Sequence, residues 1–310
     1  MTDLRQAVDD YLRLRRSLGH QMAEAAYLLP DFVSFMVDRG KQTVIIAAAL
    51  DWMEAREPKV ITTASPRRIT AVRGFARYLS GIDPATEVPP LGLVPYNRRR
   101  GQIFLYSDAD IAAIMTAAKE TIPQPLRAAT YHTLIGLLTT SGLRIGEAIK
   151  LDRDDIDCTE GVLHIRESKF GKSRMVPLRD STTRALREYD RLREDLMPRV
   201  KDPAFFLSLT GKRLIYACVH PVFRVLVDTA GVGPDAPHRP RLHELRHTFA
   251  IRTLLHWYRT KDNIQARIPS LSTYTGHREP AYTYWYLSAA PELLALAAAR
   301  RDGVRKAARP

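Results

Sequence analysis

The stretch GVLHIRESKFGKSRMVPL, residues 161–178, interrupts the helical pattern that fills most of this chain. Its two ends, 161–168 and 173–178, are short runs containing β-branched residues, and the KFGK between them favours a hairpin turn. The segment DDID at 154–157 leads into the first run. We therefore predict a mainly α fold with a small antiparallel β-sheet, of the α+β class.

Helical periodicity extends in both directions from this sheet. Ser107 is the predicted N-cap of a helix that has Asp110 near its start, and Gly142 closes the following helix. Residues 1–81 carry the pattern of about four helices and no alternating strand, which predicts a small helical bundle. The first of these helices has a broad apolar face formed by Leu4, Val8, Tyr11, Leu12 and Leu14.

A proline-rich segment separates the two helical regions. GIDPATEVPPLGLVPYNRRRG, residues 81–101, has four prolines and no helical or strand periodicity. Such a composition is typical of a semi-extended linker at a domain boundary. We predict a helical domain over 1–82, a Pro/Arg-rich linker over 83–102 and a second domain with a C-terminal tail over 103–310.

The charge balance indicates a polyanionic partner. The chain has 47 Lys and Arg against 34 Asp and Glu, a formal charge of +13 and a pI near 9.9. Such an excess most often reflects nucleic-acid binding. The arginines of the last bundle helix and the linker are candidate phosphate contacts, with a solvated basic surface as the alternative. They are Arg67, Arg68, Arg73, Arg77, Arg98, Arg99 and Arg100.

Other features bound the class of protein. No apolar run approaches the roughly 18 residues of a membrane-spanning helix, and the charged N-terminus is unlike a secretory signal. The two cysteines, Cys158 and Cys218, give neither a disulfide framework nor a zinc-binding cluster. We therefore expect a cytoplasmic protein.

Four segments of the second domain carry residues suited to chemistry. They supply Arg144 and Glu147 in TSGLRIGEAIKL, Lys169 and Lys172 in SKFGKSRMVPL, His243, Arg246 and His247 in LHELRHTFA, and His277, Tyr282, Tyr284 and Tyr286 in GHREPAYTYWYL. His243 and Arg246 are three residues apart and project from one side of a helix. The histidine spacing does not match a helical zinc pair, so no metal is predicted.

Together these segments suit a phosphodiester. Paired arginines bind its two nonbridging oxygens and stay protonated at any working pH, and His243 and His277 can donate further hydrogen bonds. A lysine can protonate the leaving oxygen. A tyrosine can attack the phosphorus once cations surround it, since its ordinary pKa is near 10. The residues alone do not decide which tyrosine reacts.

In this order, the residues resemble the tyrosine site-specific recombinases, which include phage and transposon integrases. The family pattern is Arg, Lys, His-x-x-Arg, His or Trp, then Tyr, and the resemblance covers roughly residues 103–290. It implies that the catalytic residues are Arg144, Lys169, His243, Arg246, His277 and Tyr286, supported by Glu147 and His247. Lys169 precedes the turn glycine, and Tyr286 lies nine residues beyond the histidine, as in the family.

The resemblance implies a helical core-binding domain followed by a catalytic domain. It further implies DNA cutting and rejoining through a 3′-phosphotyrosyl intermediate, without cofactors, by a tetramer acting on two DNA sites. The protein would serve a mobile element in integration or transposition, at the nucleoid, with related recombinases or accessory proteins as further partners. Further DNA contacts are expected from Lys172, Arg174, Arg239 and Arg241. Thr275 departs from the commoner Leu before Gly-His.

Three other functions use some of the same residues. A type IB topoisomerase shares the chemistry and would relax DNA that lacks a specific site. A metal-dependent nuclease would depend on the acidic run Asp152, Asp154, Asp155 and Asp157, whose alternative interpretation is solvated strand-edge charge. A catalytically silent DNA-binding regulator would form no covalent adduct.

Overall fold

The computed structural model divides into two compact units, Met1–Arg100 and Gly101–Pro310. It describes residues 3–56, 65–94, 102–166, 171, 173–260, 262–277, 279, 281–289 and 292–294. The predicted hairpin lysines Lys169 and Lys172, the linker arginines Arg98–Arg100 and the tail beyond residue 294 lie outside this part of the chain. Among the described residues, no helix is both long and apolar enough to cross a bilayer.

The first unit is a helical bundle, as predicted. Its helices are α1 Leu4–Ser17, α2 Ala23–Val37, α3 Ile46–Arg56 and α4 Ser65–Leu79. Asp3 caps α1 by accepting a hydrogen bond from the Arg5 amide. Phe32, Met36, Trp52 and Phe75 are fully buried where the helices meet. Leu14 differs from its prediction, because its side chain is 46% exposed.

The segment after α4 packs against this bundle. Glu87 donates its amide to the Val44 carbonyl and accepts the Ile46 amide at 2.8 Å, which satisfies the first turn of α3. Thr86 and Val94 are buried. The described part of the predicted linker, residues 83–94, is therefore attached to the first unit by hydrogen bonds and apolar contacts.

Arg73 corrects one prediction in this unit. It was expected to contact phosphate, but its side chain is buried, with 9% exposed. Its Nε donates to the Pro89 carbonyl at 2.7 Å and its Nη2 to the Pro90 carbonyl at 2.8 Å. Proline segments leave carbonyls without strand or helix partners, and a buried arginine satisfies two of them. Arg73 thus holds the segment after α4 in place.

The second unit combines helices with the predicted sheet. Its helices are α5 Asp108–Thr121, α6 Pro125–Ser141, α7 Ile145–Ala148, α8 Asp180–Leu196, α9 Tyr216–Thr229, α10 Leu242–Arg259, α11 Ile264–Thr275 and α12 Ala281–Ala289. The strands β1 Ile156–Asp157, β2 Val162–Ile165 and β3 Arg174–Pro177 form an antiparallel sheet in the order β1-β2-β3. Leu163 pairs with Val176 in its register, and both are fully buried. The fold-class prediction is confirmed.

Local sequence signals set the start of α5 and the end of α6. Ser107 and Asp110 form a reciprocal capping box at the start of α5, as predicted. Helix α6 is surrounded by α5, α8 and α10, and Leu134, Leu137 and Leu138 are fully buried along it. It ends at Gly142, which has a left-handed backbone with φ of 60°. The chain leaves this cap directly into Arg144.

Candidate active site

Arg144 is fixed by the turn that follows α6. Its amide donates to Glu147 Oε2 at 2.9 Å, and its Nη1 donates to Oε1 of the same carboxylate at 2.8 Å. Its Nη2 donates to the Gly276 carbonyl, just past α11, at 2.9 Å. The Arg144 side chain remains 24% exposed, so part of the guanidinium is accessible to a ligand.

Glu147 lies between two arginines. Arg174, on β3, donates from Nη1 and Nη2 to the two Glu147 oxygens at 3.1 and 3.0 Å, and from Nε to the Tyr274 carbonyl at 2.8 Å. Burial acts to raise the pKa of Glu147, but hydrogen bonds and charges from Arg174 and Arg144 hold it below its ordinary value. Glu147 is therefore ionised and keeps both guanidiniums in position.

This geometry corrects the prediction that Arg174 contacts DNA. Its side chain is only 9% exposed, and its donors go to a carboxylate and a backbone carbonyl. Arg174 fixes the positions of Glu147 and of the end of α11, because its donors are directed to protein acceptors. Arg174 connects the sheet to the turn bearing Arg144 and to the end of α11.

Arg246 is the most deeply buried cation of the site. Its side chain lies on α10, and the residue is 2% exposed. Nη1 donates to the Gly142 carbonyl at 2.7 Å and Nη2 to the Thr275 carbonyl at 2.5 Å. Desolvation, and then the charge of Arg144, lower its pKa to about 10, so it stays protonated at neutral pH. Both carbonyls lie at helix C-termini, where the macrodipole favours a cation.

Two histidines border the arginines. Desolvation, followed by the charges of Arg246 and Arg144, lowers the pKa of His243 to about 4. The same causes in the same order lower the pKa of His277 to about 4. His243 is exposed, and the charges of Arg246 and Arg144 act on its imidazole there. Both imidazoles are neutral near pH 7, and each then carries one N–H donor.

The three tyrosines of α12 differ sharply in exposure. Tyr282 and Tyr284 are 51% and 46% exposed, whereas Tyr286 is 2% exposed. The Tyr286 hydroxyl lies 3.0 Å from His247 Nδ1, and the charge of Arg246 acts on it. Burial raises the pKa of Tyr286, while Arg246 and Arg144 act to lower it. The Tyr286 hydroxyl and the guanidinium of Arg246 are therefore neighbours within a single chain.

His277 and Tyr286 form a second contact. Their rings stack with centroids 6.0 Å apart and an interplanar angle of 24°. His277 Nδ1 lies 2.8 Å from Thr283 Oγ1, and Thr283 is completely buried. Sequence reasoning missed Thr283, because a threonine among aromatic residues carries no signal of its own. It also missed the backbone carbonyls that anchor the arginines.

The other predicted DNA contacts are less organised. Arg67 pairs with Glu24 at 3.4 Å, and Arg239 pairs with Asp228. Arg68 lies over the Trp52 ring at 5.6 Å. Arg77 and Arg241 are exposed. The contact of these arginines with DNA stays a prediction, as does that of Lys172 and Arg98–Arg100, which lie outside the described residues with Lys169.

The acidic run has local partners. Asp152 pairs with Arg213, and Asp155 pairs with Arg166 at 2.6 Å. Asp157 accepts the amides of Thr159 and Glu160 at 2.8 and 2.9 Å. Asp154 is exposed. Caps and ion pairs account for these carboxylates, and the described residues contain no group of three or more His, Cys, Asp or Glu placed to hold a metal ion.

The converging groups define the class of protein as a phosphoryl-transfer enzyme. Two guanidiniums and two neutral imidazoles offer donors for an anionic phosphate, and a tyrosine hydroxyl lies beside them. Comparison with known proteins agrees with this class. Residues 105–292 match the model of the phage integrase family.

Relatives extend the match to nearly the whole chain. The integrase/recombinase y4rB of Sinorhizobium fredii is 40% identical over 300 residues, which cover 95% of each chain. The chain therefore belongs to the phage integrase family, and it is a tyrosine recombinase.

Solved structures show the same fold. The Tn1549 transposon integrase, in complex with transposon right end DNA, aligns over 99% of this chain and 100% of its own, with a TM-score of 0.68 and 16% identity. A lambda integrase tetramer bound to a Holliday junction aligns over 90% and 79%, with a TM-score of 0.59 and 16% identity.

Proposed function

We propose that this protein is the site-specific recombinase of a mobile element, which cuts and rejoins DNA through a 3′-phosphotyrosyl intermediate. The observation that carries the proposal is the position of the Tyr286 hydroxyl. It lies 3.0 Å from His247 Nδ1, and the charges of Arg246 and Arg144 both act on it within one chain. A nucleophile and the cations that bind its target are thus present together.

Arg144 and Arg246 bind the nonbridging oxygens of the scissile phosphate. Their anchors are rigid, because each guanidinium donates to backbone carbonyls and Arg144 also to Glu147. Donors held in this way need little reorganisation as charge grows on the phosphate oxygens in the transition state. His243 and His277 add neutral N–H donors. An arriving phosphate would raise the pKa of both histidines by offsetting the guanidinium charges.

The strand is cut when the Tyr286 oxygen attacks phosphorus. A new bond forms between that oxygen and phosphorus, the bond from phosphorus to the 5′-oxygen breaks, and Lys169 protonates the leaving oxygen. The phosphodiester is replaced by a phosphotyrosine ester. A 5′-hydroxyl from a partner strand reverses the step, so neither hydrolysis nor nucleotide energy is required.

Access to phosphate requires movement of α12. Tyr286 and Arg246 are each 2% exposed, and α12 packs against α10 and α11. We infer that DNA binding shifts α12 enough to admit the phosphate beside Arg246 while the contact between Tyr286 and His247 is kept. We propose that the protein acts as a tetramer on two DNA sites, in the cytoplasm at the nucleoid; the lambda integrase tetramer bound to a Holliday junction supports the tetramer.

A nicked suicide substrate tests the proposal. It would carry a candidate site from the ends of the encoding element, with the nick placed so that cleavage releases a short fragment and traps the adduct. Wild type is expected to become covalently attached to DNA. Tyr286→Phe should bind the site without forming adduct. The matched controls Tyr282→Phe and Tyr284→Phe remove hydroxyls from exposed rings of the same helix and should form adduct.

The alternatives predict different results, in this assay or in a plasmid relaxation assay. A silent DNA-binding protein would yield no adduct on any cognate site. A type IB topoisomerase would relax plasmids that lack the site as fast as plasmids that carry it. A nuclease would release free 3′ ends that carry no protein. Adduct that survives in Tyr286→Phe would remove the proposed nucleophile.

A further inference from the structure

The Tyr286 hydroxyl has two polar neighbours on α10. One is the guanidinium of Arg246, and the other is Nδ1 of His247, 3.0 Å away. Arg246 and His247 are consecutive residues of α10, so their side chains leave the helix in different directions. The His247 and Tyr286 rings lie 5.5 Å apart with an interplanar angle of 59°. The tyrosine oxygen is therefore held between a permanent cation and an imidazole nitrogen.

The direction of proton transfer follows from the donor inventory. A guanidinium is a permanent cation with donors only, so Arg246 favours negative charge on the Tyr286 oxygen. The single hydroxyl proton is then directed to His247 Nδ1, which accepts it when the imidazole carries its own proton on Nε2. The order Arg246 to Tyr286 to His247 is the order in which a proton leaves tyrosine and negative charge stays beside the arginine.

Other bases near the hydroxyl are less suited to receive this proton. His277 stacks its ring on Tyr286 and has Nδ1 at Thr283 Oγ1. His243 packs edge-on against the His247 ring, with centroids 4.7 Å apart, and among the described residues it has no hydrogen bond to the hydroxyl. Glu147 already accepts from two arginines. The charged or titratable groups around His247 in the described part of the chain include His243 and Arg246 on α10 and Tyr286 on α12, with His277 and Arg144 as further neighbours of that tyrosine.

Resting on the proposed function, we propose that His247 is the general base of strand cleavage. The Tyr286 O–H bond breaks and its proton passes to His247 Nδ1, while the tyrosine oxygen bonds to phosphorus. The bond from phosphorus to the 5′-oxygen breaks, and that oxygen takes a proton from Lys169. During rejoining, the imidazolium returns its proton to the departing tyrosine oxygen.

A base at this position answers a specific difficulty. Burial raises the pKa of Tyr286, so the hydroxyl is protonated at neutral pH and is a poor nucleophile. Arg246 stabilises the charge that develops on the oxygen, and His247 removes the proton. General bases typically contribute about 10²- to 10⁴-fold to a rate.

His247→Asn is the sharpest variant. Its side-chain oxygen can accept the tyrosine hydrogen bond near the position of Nδ1, but it cannot take up a proton. Single-turnover cleavage of the suicide substrate should slow by about 10²-fold or more, with DNA affinity unchanged. His256→Asn is the matched control, since it removes an exposed imidazole from the same helix and should cleave at the wild-type rate.

The pH profile separates a base from a structural support. The wild-type rate should rise with pH while His247 loses its proton and then level off. In His247→Asn, the rate should continue to rise tenfold per pH unit, because hydroxide must remove the tyrosine proton. His243 and His277 are common to both proteins, so the difference between the two profiles belongs to His247. A variant rate within about threefold of wild type with the wild-type profile would overturn the proposal.

A substrate with sulfur in place of the leaving 5′-oxygen distinguishes base from acid. A thiolate leaves without a proton, so this substrate should restore cleavage to Lys169→Ala and not to His247→Asn. Equal rescue of both variants would assign His247 to the leaving group and refute its role at the tyrosine. If wild type itself forms no adduct, the proposed function fails first, which the assay reports separately. His247→Gln and thermal melting detect loss of folding.

Discussion

Two buried arginines, one taken from each unit of the protein, have different surroundings. Arg73 in the first unit and Arg246 in the second each donate to two backbone carbonyls. Desolvation lowers the pKa of both. Arg73 lies against proline carbonyls and has Arg77 as its charged neighbour, whereas Arg246 faces Arg144 and the Tyr286 hydroxyl. Burial and hydrogen bonds to carbonyls therefore make each arginine a rigid cation. Only the neighbours of Arg246, namely Arg144 and Tyr286, make it part of a candidate site.

We expect the largest difference in cleavage rate between the two units when these two arginines are replaced. Arg246→Ala should slow single-turnover cleavage by about 10³-fold, or about 4 kcal/mol of barrier, because it removes an anchored donor to the phosphate. Arg73→Ala should lower the denaturant midpoint and leave the cleavage rate of the folded protein unchanged. A cleavage defect of similar size in both variants would show that the difference is one of folding alone.

The acidic partners of arginines provide a second comparison. The Glu147 side chain is 6% exposed between Arg144 and Arg174, whereas Asp31, bonded by Arg56 and Trp52, is 40% exposed. Glu147→Gln should cost about 3 kcal/mol of unfolding free energy, since two cations lose a buried partner. Asp31→Asn should cost under about 1 kcal/mol because water screens that pair.

The pH dependence of stability checks this result. The folded pKa of Glu147 lies below its ordinary value of 4.5. Its stabilisation is thus complete above that pH and is lost as pH falls through the folded pKa. Urea unfolding between neutral and acidic pH should show a smaller acid-induced loss in Glu147→Gln than in wild type. An unchanged acid limb would mean that Glu147 is not charged in the folded protein.

The smallest of the three differences concerns two left-handed glycines. At Gly142, with φ of 60°, an added Cβ would lie 2.3 Å from the Phe249 ring, whereas Gly92, with φ of 79°, has open space. Gly142→Ala should cost about 2 to 3 kcal/mol through backbone strain and overpacking. Gly92→Ala should cost about 1 kcal/mol from strain alone. Denaturant midpoints measure both, and equal costs would exclude the Phe249 contact as a cause.

Local patterns were sufficient to predict the sheet and most of the helices, but no helix was predicted at α11, Ile264–Thr275. Ser107 and Asp110 are close in sequence, so the capping box was readable, and the β-branched runs around the hairpin gave the sheet. Leu14 was misplaced because periodicity does not say how wide the covered face of a helix is. The packing of residues 83–94 depends on Arg73 and Glu87, whose partners are distant in the chain.

The candidate site was predictable in its membership and not in its contacts. Arg144, His243, Arg246, His277 and Tyr286 come together as the motif order implied, and their catalytic roles stay predictions. Arg174 was misassigned because an arginine in a basic chain does not show whether its partner is a phosphate or Glu147. The pairing of His247 with Tyr286 joins α10 to α12, and no local spacing encodes it.

The end of α11 has a consequence for how this family can vary. Tyr274, Thr275 and Gly276 each hold a different arginine, and they do so through main-chain oxygens. Side chains there can change without dislodging the cations, so a threonine in place of the commoner leucine at 275 is compatible with function. Gly276 is the exception, since a methyl group there would meet the guanidiniums of Arg174 and Arg144. Substitution among relatives should therefore stop at Gly276, whereas a change at the buried Thr275 need only fit its surroundings.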